Sequence, residues 1–326
     1  MISSAFILIA ILVIAIHSYY DFNNNDFYMP VKDRSMLKDN IESNLRKSVI
    51  KLSGDIGSRG YNQKDALDKS IEYISSEFKS YGYVPRSQIY TVNDMEYQNI
   101  WVEKIGTGSP DRTVIIGAHY DTVTGTPGAD DNASGIAGLF ELARLLADEQ
   151  MDKTLQFVAF TLEEPPFFRS RSMGSYVYAK GLKERSVDVT GMICLESIGY
   201  FIDEPGSQQF PLPFFRFFYP DTANFITFVG DIHSKGFLKS AKESFVKVTD
   251  LPVESLSALS IVPGVDLSDH RSFWKFGYKA IMVTDTAFYR NPHYHGPGDT
   301  AETLDYPRMA EVVMGLRRTV LDLAGR

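Results

Sequence analysis

Short, nearly continuous apolar runs alternate along this chain with longer segments whose apolar positions recur every three to four residues. The runs VIIGA (residues 114–118), LQFVAFT (155–161), GMICL (191–195) and AIMVT (280–284) read as strands covered on both faces. Weaker strand patterns precede them at residues 87–92 and 99–104. Helical spacing predicts helices over residues 36–52, 64–81, 133–147 and 308–323, with GSRG at 57–60 separating the first two. In the third, Ile136, Leu139, Phe140, Ala143 and Leu146 fall on one face, and Pro307 opens the fourth where a first-turn proline is tolerated. This alternation specifies an α/β domain with a mostly parallel central sheet.

The N-terminus departs from that pattern. Residues 5–16, AFILIAILVIAI, contain no polar residue, which marks an export signal or a short membrane anchor rather than a core helix. About 20 apolar residues cross a bilayer squarely, so the run spans only if Tyr19 and Tyr20 count as an interfacial belt. The small-x-small cleavage pattern is poor, and an uncleaved anchor is the preferred reading. The expected organisation is therefore a signal or anchor over residues 1–20, a tether over 21–37 opening with DFNNND, and a single folded domain over 38–326. An exported protein, secreted, periplasmic or held to a membrane by its N-terminal segment, follows.

Composition narrows the function classes. With 326 residues, 44% of them hydrophobic, the chain can bury a sizeable core. A net charge of −8 with no basic stripe excludes nucleic acid as a natural partner. The single cysteine, Cys194, rules out an intrachain disulfide and a cysteine-built zinc module, and it reads as buried filler.

Candidate chemistry lies just past the strands, where open α/β sheets bind ligands. VIIGA runs into His119-Tyr120-Asp121, LQFVAFT leads to Glu163-Glu164, GMICL ends at Glu196, and AIMVT is followed by His293-Tyr294-His295. GADDNASG at 128–135 sets Asp130 and Asp131 just before a helix. Gathered at one sheet edge, these carboxylates would repel and raise one another's pKa, and no lysine in the motifs offsets them. Divalent cations would. Two of them against three ligating carboxylates leave a net positive charge that lowers the pKa of a bound water. Two histidines with three carboxylates favour zinc, with manganese or cobalt open to an oxygen-rich shell. Ser268-Asp269-His270 has no nucleophile elbow and reads as pocket wall.

The segments HYD, PGADDNASG, FTLEEP, LESIGY and HYHGPGDT, in this order, resemble the co-catalytic dizinc aminopeptidases of metallopeptidase family twenty-eight, from residue 38 to the C-terminus. The resemblance implies a single three-layer α/β domain, a mixed, mostly parallel central sheet flanked by helices, of the zinc-exopeptidase kind. It assigns one zinc to His119 and Glu196 and the other to Glu164 and His295, with Asp131 bridging and Asp130 the runner-up. Asp121 would orient the His119 imidazole, and Glu163 would be the general base. The implied reaction is removal of N-terminal residues from peptides through a hydroxide bridging two zinc ions. Carboxypeptidase or dipeptidase action, a one-zinc glutaminyl-cyclase-like transferase and a non-catalytic receptor-like module are the alternatives.

Two departures bear on substrate. Where some relatives place an oxyanion-binding tyrosine before the SDH segment, this chain has Val265 and Asp266. The continuation EEPPFFRSRSMGS suggests that Phe167, Phe168, Arg169 and Arg171 line the pocket, and the phenylalanine-rich residues 208–219 suggest a lid. A hydrophobic or aromatic N-terminal side chain is the expected substrate.

Overall fold

The computed structural model describes residues 31–326. The expected anchor and residues 21–30 of the expected tether lie outside the described residues. Among the described residues no helix is long and apolar enough to cross a membrane.

Eight strands form one sheet in the order β1-β2-β4-β3-β5-β8-β6-β7. They are β1 (Arg86–Val92), β2 (Met95–Lys104), β3 (Ser109–His119), β4 (Lys153–Phe160), β5 (Asp188–Leu195), β6 (Ile226–Gly230), β7 (Val253–Ser257) and β8 (Ala280–Thr284). The centre, β4-β3-β5-β8, is parallel, while β1, β2 and the β8–β6 junction are antiparallel. Alternate residues of the central strands feed two separate cores. Val114, Ile116, Phe157 and Ile193 face one core, and Ile115, Val158, Phe160 and Met192 face the other.

The first core is covered by α1 (Val31–Val49), α2 (Lys64–Ser80), α3 (Gly135–Leu146), α5 (Lys235–Phe245) and α7 (Tyr306–Ala324). The second is covered by α4 (Gly174–Glu184) and α6 (His270–Lys275). This is the expected three-layer α/β arrangement with a mixed, largely parallel sheet. The boundary expected at Lys38 falls inside α1, which begins at Val31 and continues into π-helical turns over Ile50–Ile56. The elements that the apolar pattern did not predict are β6, β7, α4, α5 and α6. The two strands have five residues each, and β7 interleaves Glu254, Ser255 and Ser257 with its apolar positions, so no continuous run announces it.

The GSRG segment is more than a separator. Arg59 is fully buried. Its guanidinium donates to the carbonyls of Tyr120, Leu52, Gly57, Pro127 and Gly128 at 2.7–2.9 Å, and its own N–H donates to Thr122 Oγ1 at 2.9 Å. One side chain thereby pins the turn after α1 to the loop after β3 and to the approach to α3. Burial lowers its pKa to about 10, against the pull of Asp299, Asp121, Asp131 and Glu164, so it stays charged at neutral pH. Replacing it leaves several buried carbonyls without donors, each costing about 1–3 kcal/mol. Arg59→Met is expected to lower stability by at least about 3 kcal/mol, read as a fall of the thermal midpoint; a midpoint equal to wild type would refute the clamp.

Candidate metal centre

Five side chains from separate segments meet at the carboxyl edge of the sheet. His119 is the last residue of β3, and Glu196 directly follows β5, its N–H donating to Val283 of β8. Glu164 lies four residues past β4 and His295 eleven past β8. Asp131 sits in the irregular turn Ala129–Ser134 that leads into α3. His119 Nε2 lies 3.2 Å from Asp131 Oδ1 and 3.2 Å from Glu196 Oε2. His295 Nε2 lies 3.1 Å from Asp131 Oδ2 and 3.2 Å from Glu164 Oε2. Asp131 thus turns one oxygen to each histidine.

Two donor triads result, His119-Asp131-Glu196 and Asp131-Glu164-His295, each with its ligand atoms within 4.8 Å of one another. The Nε2 atoms of both histidines, both oxygens of Asp131 and Glu164 Oε1 are buried without a hydrogen-bond partner. Buried polar atoms are ordinarily paired. Here the unpaired ones converge, and imidazole with carboxylate is a donor set suited to zinc.

The backbone at the site is unusual. Leu162, just before Glu163-Glu164, Ser197, just after Glu196, and His295 itself have φ of 57°, 49° and 56°. Left-handed backbone at non-glycine residues costs of order 1–3 kcal/mol and persists only where surroundings enforce it. The enforcing groups are identifiable. Asp121 accepts the N–H groups of Glu163 (3.2 Å) and Glu164 (3.1 Å). Asp299 accepts those of Asp130 (2.8 Å) and Asp131 (3.1 Å). Asn132 accepts from Gly135 and Ser197 at 3.1 Å and donates to the Leu195 carbonyl at 2.9 Å, joining the Asp131 turn to the Glu196 turn. A Cβ on Gly135 would come within 2.3 Å of Asn132 Oδ1 and 2.6 Å of the Leu195 carbonyl, so glycine is required there.

Asp121 does more than the sequence led one to expect. The imidazole Nδ1 of His119 lies 3.1 Å from the Asp121 main-chain carbonyl and 3.5 Å from its carboxylate. Carbonyl and carboxylate both face the ring, and the carboxylate also holds the glutamate loop. Asp130 is turned away from the histidines: it accepts from Gly199 N–H and Asn291 Nδ2 at 3.0 Å and is pressed against Asp285. His293 packs edge-on against Tyr200. Ser268 is not pocket wall; its hydroxyl donates to Glu196 Oε2 at 2.6 Å and lies 3.2 Å from the buried Cys194 sulfur. Of Phe167, Phe168, Arg169 and Arg171, none is among the residues that wall the cleft beside Glu196 and Tyr294. Phe167 is packed edge-on against Tyr61, and Arg169 pairs with Asp266 at 2.6 Å.

Sequence reasoning missed Asn132, Asp299 and Tyr294. All three lie inside the quoted motifs, but a motif does not say which members touch metal and which hold backbone. Tyr294 stacks on His295 with ring centroids 3.8 Å apart. Burial, reinforced by Asp131, Glu164, Glu196 and Glu163, raises its pKa.

Electrostatics match a centre short of positive charge. Burial opposes charging of His295, but Asp131 and Glu164 outweigh it and raise the pKa to about 10. His119 is raised despite its burial by Glu196, Asp121 and Asp131. Glu164 is raised to about 8 by burial and Asp131, against the pull of His295. Asp131 is lowered by both histidines although burial pushes the other way. Burial, with Glu196, Glu164 and Asp269 adding to it against His119, raises Glu163 well above the carboxylate range.

An α/β sheet with two convergent donor triads at its carboxyl edge defines a metal-dependent hydrolase. Residues 99–320 match Peptidase family M28, and the chain belongs to that family. It is 46% identical to the protein YfbL of Escherichia coli (strain K12) over 281 residues, 83% of this chain and 85% of that one. It is 24% identical to leucine aminopeptidase 1 of Fusarium vanettenii over 299 residues, 85% of this chain and 68% of that one. Its fold is similar to BSAP, a zinc aminopeptidase from Bacillus subtilis, with a TM-score of 0.71 at 16% identity over 87% of this chain and 95% of that one.

In metal-free protein the raised pKa values of His295, about 10, and Glu164, about 8, mean that the folded state binds more protons than the unfolded chain above pH 4.5. The His295 contribution is complete below its unfolded value of 6.5 and is lost as pH rises through about 10; Glu164 is penalised progressively from 4.5 to about 8. Chelated protein is therefore expected to melt at lower temperature at pH 9 than at pH 6. Added divalent metal should remove that slope, since cations replace the protons. A chelated protein that is more stable at pH 9 would contradict the charge balance.

Proposed function

We propose that this chain is a two-zinc aminopeptidase that releases N-terminal residues from peptides. The observation that carries the reading is Asp131, whose two buried oxygens face the Nε2 atoms of different histidines at 3.2 and 3.1 Å. A carboxylate so placed would serve both donor triads at once. The full set of donors favours this over a one-zinc transferase, and the retained Glu163 favours it over a non-catalytic module. The aminopeptidases among its relatives support the choice of exopeptidase polarity.

His119, Asp131 and Glu196 would hold one zinc, and Asp131, Glu164 and His295 the other. When bound, the ions supply Lewis acidity to the attacking water and the scissile carbonyl. Glu163 does the proton work. Its carboxylate is buried next to the ligand Glu164, and its raised pKa suits a group that takes a proton from water and then gives it to the leaving amine near neutral pH. Asp121 keeps the two glutamates in register by holding both their N–H groups, so one grips metal while the other stays free. Ser268 fixes the rotamer of Glu196.

Glu163→Gln is expected to bind two zinc equivalents like wild type while losing about 10²–10⁴-fold in kcat. Metal analysis and steady-state kinetics on peptides with free and blocked N-termini check both halves. Full activity in that variant sinks the role of Glu163. Cleavage of blocked peptides sinks the aminopeptidase polarity, and cyclisation of N-terminal glutamine with one zinc per chain returns the transferase.

The apolar run at residues 5–16 supports export of the chain, with an uncleaved segment holding it at a membrane. Fractionation of cells expressing the full chain is expected to place it outside the cytoplasm. Recovery only from the cytosol would exclude export.

A further inference from the structure

Beside the metal centre a cleft open to solvent at its mouth runs away from Glu196 and Tyr294. Phe210, Phe215, Tyr219, Phe225, Leu256 and Met282 wall it. Its floor is the β8-β6-β7 end of the sheet, and the floor is not apolar. Thr227 of β6 pairs in register with Thr284 of β8 on one side and Glu254 of β7 on the other, and all three line the cleft. Leu195 pairs with Val283, so Glu196 stands level with Thr284 at the start of the same row. The row from Glu196 to Glu254 crosses three strand spacings, roughly 14 Å.

Thr227 Oγ1 is buried without a partner. Among the described residues, no hydrogen bond to the Glu254 carboxylate is seen. Successive residues of β7 face opposite ways: Glu254 and Leu256 face the cleft, while Ser255 receives Lys242 Nζ of α5 at 3.2 Å on the other side. Burial raises the Glu254 pKa, with Lys242 offsetting part of the effect. An acid among aromatic rings costs desolvation energy that an apolar substrate does not return. A substrate carrying a cation on a long aliphatic stem returns it: the stem lies along the rings and the head reaches the acid.

We propose that this cleft receives the side chain of the N-terminal residue and that Glu254, beside Thr227, selects lysine or arginine there. This rests on the aminopeptidase reading, in which the residue whose carbonyl lies at the metals is the N-terminal one. The apolar walls agree with the hydrophobic preference anticipated from the sequence only as far as the stem; the floor adds the charge. Leucine and phenylalanine fill the mouth and bring no positive charge to Glu254.

The test compares kcat/KM for lysyl, arginyl, leucyl and norleucyl 4-nitroanilides on the zinc-loaded enzyme and on Glu254→Gln. Norleucine matches the lysine stem without its charge. Wild type should prefer lysyl over norleucyl at least about tenfold, and Glu254→Gln should reduce that ratio by a similar factor. Thermal-shift titrations with free lysine and norleucine read the same preference without turnover: lysine should raise the wild-type midpoint more, and the difference should shrink in the variant. The zinc content and unliganded midpoint of the variant confirm that it folds. A wild type that hydrolyses norleucyl substrate as well as lysyl, or a variant with an unchanged ratio, overturns the proposal while leaving the aminopeptidase reading standing. Failure to hydrolyse any substrate with a free α-amino group would overturn both.

Discussion

The structure is organised around one constraint, the crowding of buried acids at a single sheet edge. Asp131, Glu163, Glu164 and Glu196 are all at most 6% exposed, and His119 and His295 stand among them. Like charges at this density are tolerable only with counter-charge in place. Without metal, protonated imidazoles supply part of it; bound divalent metal would supply the rest. Both histidine Nε2 atoms, both Asp131 oxygens and Glu164 Oε1 are buried without a partner at this one edge, as a metal-binding group would leave them.

Holding such a centre requires backbone support on every side. Arg59, Asp121, Asp299 and Asn132 spend their side-chain hydrogen bonds largely on main-chain groups of the ligand-bearing loops. Arg59 also brings a full positive charge beneath the acidic cluster without pairing to any one acid. Ligand positions set to within a fraction of an ångström depend on these supports. Asp121 and Asn132 also hold the peptide groups at Leu162–Glu163 and Ser197, where the backbone is left-handed.

The cleft ties the chemistry to the antiparallel junction of the sheet. Strands β6 and β7 lie beyond the parallel centre and contribute no metal donor, yet they form the floor where a substrate side chain would lie. Residues 208–219, expected to form a lid, supply wall residues on one side of it. Gln208 is anchored by Arg290 Nε at 3.0 Å and by hydrogen bonds to Thr286, so this segment is fixed at its start to the β8 side of the cleft.

The sequence by itself determined the fold class and the ligand types. Strands buried on both faces must be continuously apolar, and a chain that places His, Asp or Glu after each such strand leaves little other use for them. Residue type alone does not choose between Asp130 and Asp131, and the family resemblance favoured Asp131. The tertiary structure supplies the physical reason: Asn291 and Gly199 claim Asp130, while Asp299 holds the Asp131 N–H and the Asp131 carboxylate lies against the histidines. Asp121 was read as a partner for the imidazole; in the fold its carboxylate lies 3.5 Å from His119 Nδ1 and also accepts the Glu163 and Glu164 amides, a second task the sequence did not show. Arg59, Asp299 and Ser268 were invisible as supports for the same reason. Their partners are 42 to 169 residues away or are main-chain atoms, which leave no pattern in side-chain sequence. Glu254 is the clearest case: one acid in a short edge strand, given meaning only when strand register sets it level with Glu196 across the sheet.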